Sequence, residues 1–501
     1  MKKKAAVFIS TFLFGALSFI IFNPLCAQPE NWPQFRGINC AGLSAEGQNP
    51  PVHFGPDKNI LWKVNLPEGH SSPCIWGNYI FITGFEEEGK LLIMFCIDRN
   101  DGSIRWEENI SVEEFEKVNS VSNPATATPA TDGERVYFYF SSYGLLCYDF
   151  NGDQQWKLPI PVPKSRHGMG TSPIVTGDLV ILNCIGHQND PRLLAINKYD
   201  GSTVWKHSLP EQDNYRGDSY STPVIYKDRV IIYGSEYVAA YNIKTGDRIW
   251  RFLTGITDAV CTPVIGNDIL YTVSYSTYGN PDMRAQFPGF NEVAKEYDEN
   301  GDFLLDKLEV KDFRFLIYPE MPEVSGSMSL ASKMVFGMVD KNKDELIDSL
   351  EWKINNEYLE SFYEKQGLKA IKLGGEGDIN LDYFLWGNPD QVPHISSPLY
   401  YNNNVYIIKS GGTISCFHAE SGRLLYREKL GASGAYFSSP IVSNGRIYIA
   451  SRNGIVTVLE AGDKLNILTQ NDLEDKIMAT PAVVDNKLYI RTTESLYAFG
   501  E

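Results

Sequence analysis

Two stretches of the chain place oxygen-bearing side chains at alternate positions and end on a glutamate. Residues 298–309 read DENGDFLLDKLE, and residues 340–351 read DKNKDELIDSLE. A hard divalent cation such as calcium takes six to eight oxygen ligands, and a twelve-residue loop supplies them from positions 1, 3, 5, 7, 9 and 12. In the first stretch those positions are Asp298, Asn300, Asp302, the Leu304 carbonyl, Asp306 and Glu309. In the second they are Asp340, Asn342, Asp344, the Leu346 carbonyl, Asp348 and Glu351. Calcium is therefore the expected ion.

Tandem loops of this kind resemble an EF-hand pair. Leu305 and Ile347 occupy position 8, where paired loops would touch through a short strand. GFNEVAKEY and LASKMVFGMV put apolar residues at helical spacing ahead of each loop, and the interval between loops leaves room for an exiting helix, a linker and an entering helix. One departure stands out. Position 6 is normally glycine, because the chain turns sharply there, but here it is Phe303 and Glu345. Bulky residues at positive φ are costly, so binding weaker than in cytosolic sensors is expected. The competing reading is a helical insert whose acids form a solvated face.

The elements around this module are strands. Eight copies of a Ser/Thr-Pro motif recur, with prolines at 73, 129, 173, 223, 263, 398, 440 and 481. Apart from one long interval between 263 and 398, the copies follow at about 45 residues, the period of a four-stranded propeller blade. Each copy runs from a short apolar strand through a Gly, Asn or Asp turn into an alternating strand such as RVIIY, then into patterns such as VAAYNIKTGDRIW. Trp106, Trp156, Trp205 and Trp250 end the fourth strands, Trp386 follows the long interval, and Tyr426 takes the same place in a later copy. The eighth copy ends at Glu501 after three strands, while NILWKVNL at 59–66 has the form of a fourth strand with Trp62 at the ring position. Joining the two would close the circle and leave no exposed edge.

These repeats, with the leading NWPQFRG at 31–37 and blade segments such as GTISCFHAESGRLLY, resemble the bacterial PQQ-like β-propellers. The resemblance covers nearly all of residues 30–500 outside the insert. It implies an all-β, eight-bladed propeller of four-stranded blades carrying an inserted α-helical EF-hand-like subdomain. Some members of that family are quinoprotein dehydrogenases that use pyrroloquinoline quinone, and others are non-catalytic scaffolds, including an outer-membrane assembly lipoprotein.

The expected organisation is an export signal at 1–27, a first propeller part at 28–276, the insert at 277–368 and a second propeller part at 369–501. Lys2, Lys3 and Lys4 precede an apolar run from Ala5 to Phe22, and PLCAQ offers Ala27 before a cut. An uncleaved anchor is the alternative. Asn23, Pro24 and Leu25 are a poor approach to Cys26 as a lipidation site. The expected location is periplasmic or secreted. Cys96, Cys147 and Cys416 fall at equivalent repeat positions and read as small buried hydrophobes rather than a disulfide frame. No Cys-x-x-Cys or His/Cys zinc spacing occurs.

Formal net charge is −17. That argues against nucleic acid, which needs a basic footprint. Residues 291–365 hold 18 acids against 9 bases, so about half of the excess sits in the insert. Strands of a blade alternate in direction, so the second-to-third turn lies on the same face as the crossing to the next blade. The insert leaves the fifth blade from such a turn, between a second strand at 268–275 and a third at 369–375. Crossings at 164–173, 214–223 and 391–398 would bring Arg166, His167, Arg216, Tyr220 and His394 to the axial mouth on that face.

The functional expectation is a scaffold that binds a protein, a small molecule or a polysaccharide on the loop-rich face, without nucleic acid and without a membrane span once the signal is removed. Oligomeric state is not legible. The alternative is a PQQ-dependent dehydrogenase oxidising alcohols or sugars. The vicinal cysteine pair of the alcohol-oxidising relatives is absent, and no catalytic Asp with an adjacent metal-binding residue can be assigned. No nucleophile–base or paired-carboxylate motif supports a hydrolase or lyase, so an enzyme is not the preferred reading.

Overall fold

A computed structural model describes residues 31–162, 165, 167–185, 192–208, 218–255, 259–322, 324–379 and 381–501. The expected signal at 1–27 lies outside the described residues, as do Arg166 and Arg216. Among the described residues no helix is long and apolar enough to cross a membrane.

Eight four-stranded antiparallel sheets form the blades of one propeller, a fifth short strand being added to one of them. Seven blades take their strands in chain order. The eighth combines Ala482–Val484, Lys487–Arg491 and Ser495–Phe499 with Ile60–Asn65 from the other end of the chain. Trp62 pairs with Ala498 and Lys63 with Tyr497 across that seam. The closure completes the eighth blade and covers the edge that Ser495–Phe499 would otherwise expose.

Neighbouring blades are locked at two radii. Near the axis, the Ser or Thr before each motif proline donates its backbone N–H to the hydroxyl of its counterpart in the next blade. The ring runs from Ser72 through Thr128, Ser172, Thr222, Thr262, Ser397, Ser439 and Thr480 back to Ser72, each bond 2.9–3.1 Å. Farther out, Trp62, Trp106, Trp156, Trp205 and Trp386 donate their indole N–H to carbonyls of the next blade, those of Arg99, Phe150, Lys198, Ile243 and Ala419, at 2.7–3.0 Å. Each ring lies on a glycine of that blade. A Cβ at Gly201 (φ +74°) would sit 2.7 Å from Trp156 Cε3, so both the turn and the docked ring require glycine there.

Trp250 is the exception. It is fully buried, but its Nε1 has no partner among the described residues. The turn that should receive it belongs to the interrupted fifth blade. Gly377–Asp378 there adds instead as a parallel edge strand, with Asp378 held by Arg251 at 2.8 Å.

All seven described cysteines are buried and free. On one end of the ring the leading segment acts as a strap. Trp32 pairs with Ile75, Asn39 with Ile225, and Gly42 and Ser44 with Val442. Arg36 is wholly buried at the axis and donates to the carbonyls of Pro398 and Pro440 at 2.9 and 3.2 Å. Burial pulls its pKa down to about 10, which leaves it charged at neutral pH.

The fifth blade is interrupted after Ile269–Ser274 and resumes at Gly367–Lys372. Between them lie α1 (Pro281–Arg284), α2 (Phe290–Tyr297), a short 3-10 turn (Glu309–Asp312), a hairpin of Arg314–Ile317 with Gly326–Ser329, α3 (Lys333–Val339) and α4 (Ser349–Lys365). The first acidic loop is therefore not followed by an exiting α-helix. Residues 313–317 alternate buried Phe313 and Phe315 with exposed Arg314 and Leu316, a strand pattern that the hairpin satisfies. The insert has its own core around Trp352, which touches the rings of Phe287, Phe290 and Phe313 and donates to the Pro288 carbonyl at 2.8 Å.

Candidate functional site at the axial mouth

The hydroxyl ring encloses a cavity of about 170 Å³ on the axis. Phe35 of the strap closes one end, and the blade-crossing loops form the other. The insert sits over that second end. Its hairpin connection brings Tyr318, Met321 and Val324 against Val121, Ile395, Phe437 and Met478, side chains from loops at four different blade crossings. Three polar contacts fix it there. Lys409 donates to Asp282 at 2.7 Å, Tyr275 donates to Glu320 at 2.8 Å, and Gln366 donates to the Pro389 carbonyl at 3.1 Å.

Between insert and propeller face lies a second cavity of about 410 Å³. Met283, Met328, Met334 and Met338 line it with Phe287, Phe315, Phe362 and the rings of Tyr275, Tyr278, Tyr318 and Tyr358. It meets the axial cavity at His167, Tyr220, Val260 and His394, which line both. Among the described residues, no Asp, Glu, Lys or Arg lines either cavity. Five of the nine methionines fall between 283 and 338, the sequence signal for this wall.

Of the five residues proposed for the mouth, three are described, and all three lie at the junction. Asn119 Nδ2 lies within hydrogen-bond distance of His167 Nδ1, at 2.8 Å. Tyr220 donates its hydroxyl to Asp218 at 2.7 Å. His394 stacks between Tyr275 and Tyr318, with ring centroids 4.6 and 5.1 Å away. Burial, reinforced by the facing His167, pushes its pKa down to about 3, so the ring is neutral at any physiological pH. His70, at the same mouth, is likewise held down to about 3 by burial and by Arg491 and Arg452.

Sequence patterns gave no pointer to Glu116. This buried carboxyl accepts from Ser141 and from the Met169 backbone N–H, and so fixes the loop that carries His167. Burial raises its pKa to about 8, which keeps it largely protonated at neutral pH.

The two acidic loops share one hydrogen-bond pattern. Asp298 accepts from the N–H groups of Gly301 and Phe303, and Asp340 from those of Lys343 and Glu345. Glu309 reaches back to the N–H groups of Glu299 and Asp306, and Glu351 to those of Lys341, Asn342 and Asp348. Asn300 and Asp302, like Asn342 and Asp344, each accept from the N–H two residues on. Asp306 and Asp348 accept from the N–H groups of Glu309 and Glu351. Position 6 does adopt the left-handed backbone, with φ 61° at Phe303 and 68° at Glu345. Leu305 and Ile347 pair through both backbone bonds, at 3.0 and 2.9 Å, which places Leu304 and Leu346 beside that bridge. Among the described residues, no three His, Cys, Asp or Glu side chains converge as around a metal ion. The loop acids instead satisfy backbone N–H groups.

Comparison with known proteins adds the following. A family model described as outer membrane protein assembly factor BamB matches residues 53–281 and 385–494. The BamB of Yersinia pestis is 22% identical over 429 residues, spanning 80% of this chain and 88% of that protein. The BamB of Salmonella typhimurium matches at 24% over 110 residues, 21% of this chain and 27% of that protein. Among solved structures, BamB from Moraxella catarrhalis superposes with a TM-score of 0.50 at 13% identity, covering 88% of this chain and 98% of its own. A europium-containing methanol dehydrogenase gives 0.56 at 11% identity, covering 95% and 99%. Identities this low establish the fold and no more.

Proposed function

The chain belongs to the family of outer membrane protein assembly factor BamB, and we propose that it is an exported scaffold that holds a protein or small ligand on its loop-rich face, with calcium ordering the insert over that face. The observation that carries this reading is the uncharged, aromatic and methionine-rich chamber where the insert meets the axial mouth. Such a surface binds by apolar contact and shape. The family's name points to proteins of outer-membrane assembly as the first partner class to test.

Pyrroloquinoline quinone carries three carboxylates and would need cations to receive them; Arg166 and Arg216, the two expected at this mouth, lie outside the described residues. Calcium fits the insert. Each loop offers oxygen donors only, with the backbone already turned at position 6. Asp298, Asn300, Asp302, the Leu304 carbonyl, Asp306 and Glu309 would hold one ion, and Asp340, Asn342, Asp344, the Leu346 carbonyl, Asp348 and Glu351 the other. A bound divalent cation would offset two of the four carboxylate charges crowded in each loop.

The test is a photo-crosslinking residue placed at Ser120 or Tyr278 on the mouth side and at Asn444 on the strap side of the full chain in cells. Specific adducts from the mouth side, absent from Asn444, are expected. Adducts from Asn444 alone would overturn the assignment of the binding face. Oxidation of alcohols or sugars by protein reconstituted with pyrroloquinoline quinone, calcium and an artificial electron acceptor would replace the scaffold with the dehydrogenase.

A further inference from the structure

The scaffold reading leaves the ligand class open, and the chamber narrows it. Its outer wall is accessible. Met334 is 60% exposed, Tyr358 47% and Met338 39%, while deeper lining residues such as Met283, Phe287, Phe315 and Leu359 are buried. The slot therefore runs inward from the α3–α4 seam to the junction at His167 and His394. Met334 and Met338 of α3, with Met283 of α1 and Met328 of the hairpin, give it a deformable apolar wall, and the rings beneath give it a rigid floor.

Chemistry changes at the junction. Beyond it the axial cavity is lined by the hydroxyl residues Ser72, Thr128, Ser172, Thr222, Thr262, Ser397, Ser439 and Thr480. Each of those oxygens accepts one backbone N–H, so each hydroxyl hydrogen can still be directed to another acceptor. At the gate between the two compartments His394, stacked between two tyrosine rings, is neutral, and Val260 beside it is apolar. A charged head would enter with no described counter-ion, which is expensive in a site shielded from water. A hydroxylated head would find donors and acceptors on all sides.

Resting on the reading of this face as a ligand-binding one, we propose that the slot and the axial cavity together bind a neutral amphiphile, with its apolar chain between Met334 and Phe315 and its hydroxylated head at His394 and the hydroxyl ring. The combined volume falls within the range of small-ligand pockets. The exposed stripe of Leu350, Ile354 and Tyr358 on α4 continues the slot outward, and a longer chain would follow it.

N-phenyl-1-naphthylamine, a neutral fluorophore that brightens in apolar surroundings, reports occupancy of the slot in the full chain. Competitors are monodecanoylglycerol and decanoate at pH 8, below their micellar concentrations. They share an acyl chain and differ in head charge. Saturable fluorophore binding is expected, with monodecanoylglycerol displacing it at concentrations at least about tenfold lower than decanoate. Met334→Glu, at an exposed position that folding tolerates, should weaken both fluorophore and monodecanoylglycerol. His394→Phe keeps the ring stack and should leave the fluorophore bound while abolishing the preference for the glycerol head. Absence of saturable binding, equal displacement by the two competitors, or an unchanged preference in His394→Phe would each overturn the proposal. Displacement by a basic amphipathic peptide but not by monodecanoylglycerol would make the slot a peptide groove and overturn it too. Mouth-side photo-crosslinks together with any of these failures would leave the scaffold reading standing and remove only the amphiphile.

Discussion

Thr480 donates its backbone N–H to the Oγ of Ser72 at 2.9 Å, across 408 positions of sequence. That bond completes a ring of eight in which every donor and every acceptor is the residue before a motif proline. The proline itself has no N–H to give, so the residue preceding it carries the contact between blades. The same hydroxyls line the cavity on the axis, so one set of side chains both closes the fold and forms the inner part of the candidate site.

Replacing Ser72 with Ala tests the seam. It removes the acceptor of a buried N–H at the point where the first and last copies meet. An unsatisfied buried donor costs about 1–3 kcal/mol, and the loss should appear in urea unfolding followed by tryptophan fluorescence. No change in the unfolding midpoint would mean that strand pairing at Ile60–Asn65 carries the seam alone.

Gly201→Ala tests the outer lock. The new methyl would meet Trp156 at 2.7 Å on a backbone with φ +74°. Overpacking and left-handed strain together predict a loss of roughly 2–4 kcal/mol, with an altered Trp emission. The same exchange at Gly177, also at positive φ (+56°) but with open space around it, should cost only the backbone strain.

Much of this architecture was legible because it repeats. Eight Ser/Thr-Pro copies announce eight blades, and a tryptophan recurring at one place per copy announces a docking contact. The hydroxyl ring was not legible, since its meaning depends on which blades are neighbours. In the insert, helical spacing marked the regions of α2 and α3. The hairpin was missed because two four-residue strands give too short an alternation to stand against helical neighbours. Met321 reaching Phe437 was missed because apolar contact between distant segments leaves no local pattern. His167 and His394 could be placed at the mouth from topology alone, since each lies a few residues before a motif proline. Glu116 could not, because a lone glutamate in a crossing loop reads as a surface residue until its burial is seen.

Glu116 gives the fold a pH dependence with a definite sign. Its folded pKa of about 8 lies above the ordinary value of 4.5, because burial disfavours the carboxylate. The native state thus binds this proton more tightly than the unfolded chain does. Its contribution is fully present below pH 4.5 and is lost as pH rises through 8, on the order of 5 kcal/mol across that window. His394 and His70, held down to about 3, act the other way and weaken the fold as pH falls from 6.5 toward 3. The difference in unfolding free energy between wild type and Glu116→Gln isolates the carboxyl. It should shift steadily against wild type from pH 5 to 8, and a constant difference would mean that Glu116 is ionised in the native protein.

Calcium should stabilise the insert more than the propeller. Asp298, Asp302, Asp306 and Glu309 crowd one loop, and Asp340, Asp344, Asp348 and Glu351 crowd the other. Without metal their repulsion is offset by backbone N–H bonds, and Asp348 with Glu351 forms a capping box at the start of α4. With metal, each loop would gain a central cation that ties the helix before it to the segment after it, and the Leu305–Ile347 bridge would couple the two loops. The blades need no such ion, because the hydroxyl ring and the docked tryptophans lock them. Phe303 and Glu345 at positive φ keep the strain that glycine would relieve, so affinity should fall near the ~10⁻⁴–10⁻³ M of extracellular modules. Hydrogen exchange across residues 285–365, with millimolar calcium and with chelator, is the measurement. Slower exchange in that window, with little change in the blades, is expected. Changing both Glu309 and Glu351 to Gln removes the bidentate carboxylates and should abolish the difference. Gln can still accept the backbone N–H bonds that the glutamates accept, so a double variant that keeps its chelator-state exchange pattern but loses the calcium response separates metal binding from capping. No calcium-dependent change in the wild type would leave the acids as caps alone and the insert as a helical lid on the mouth.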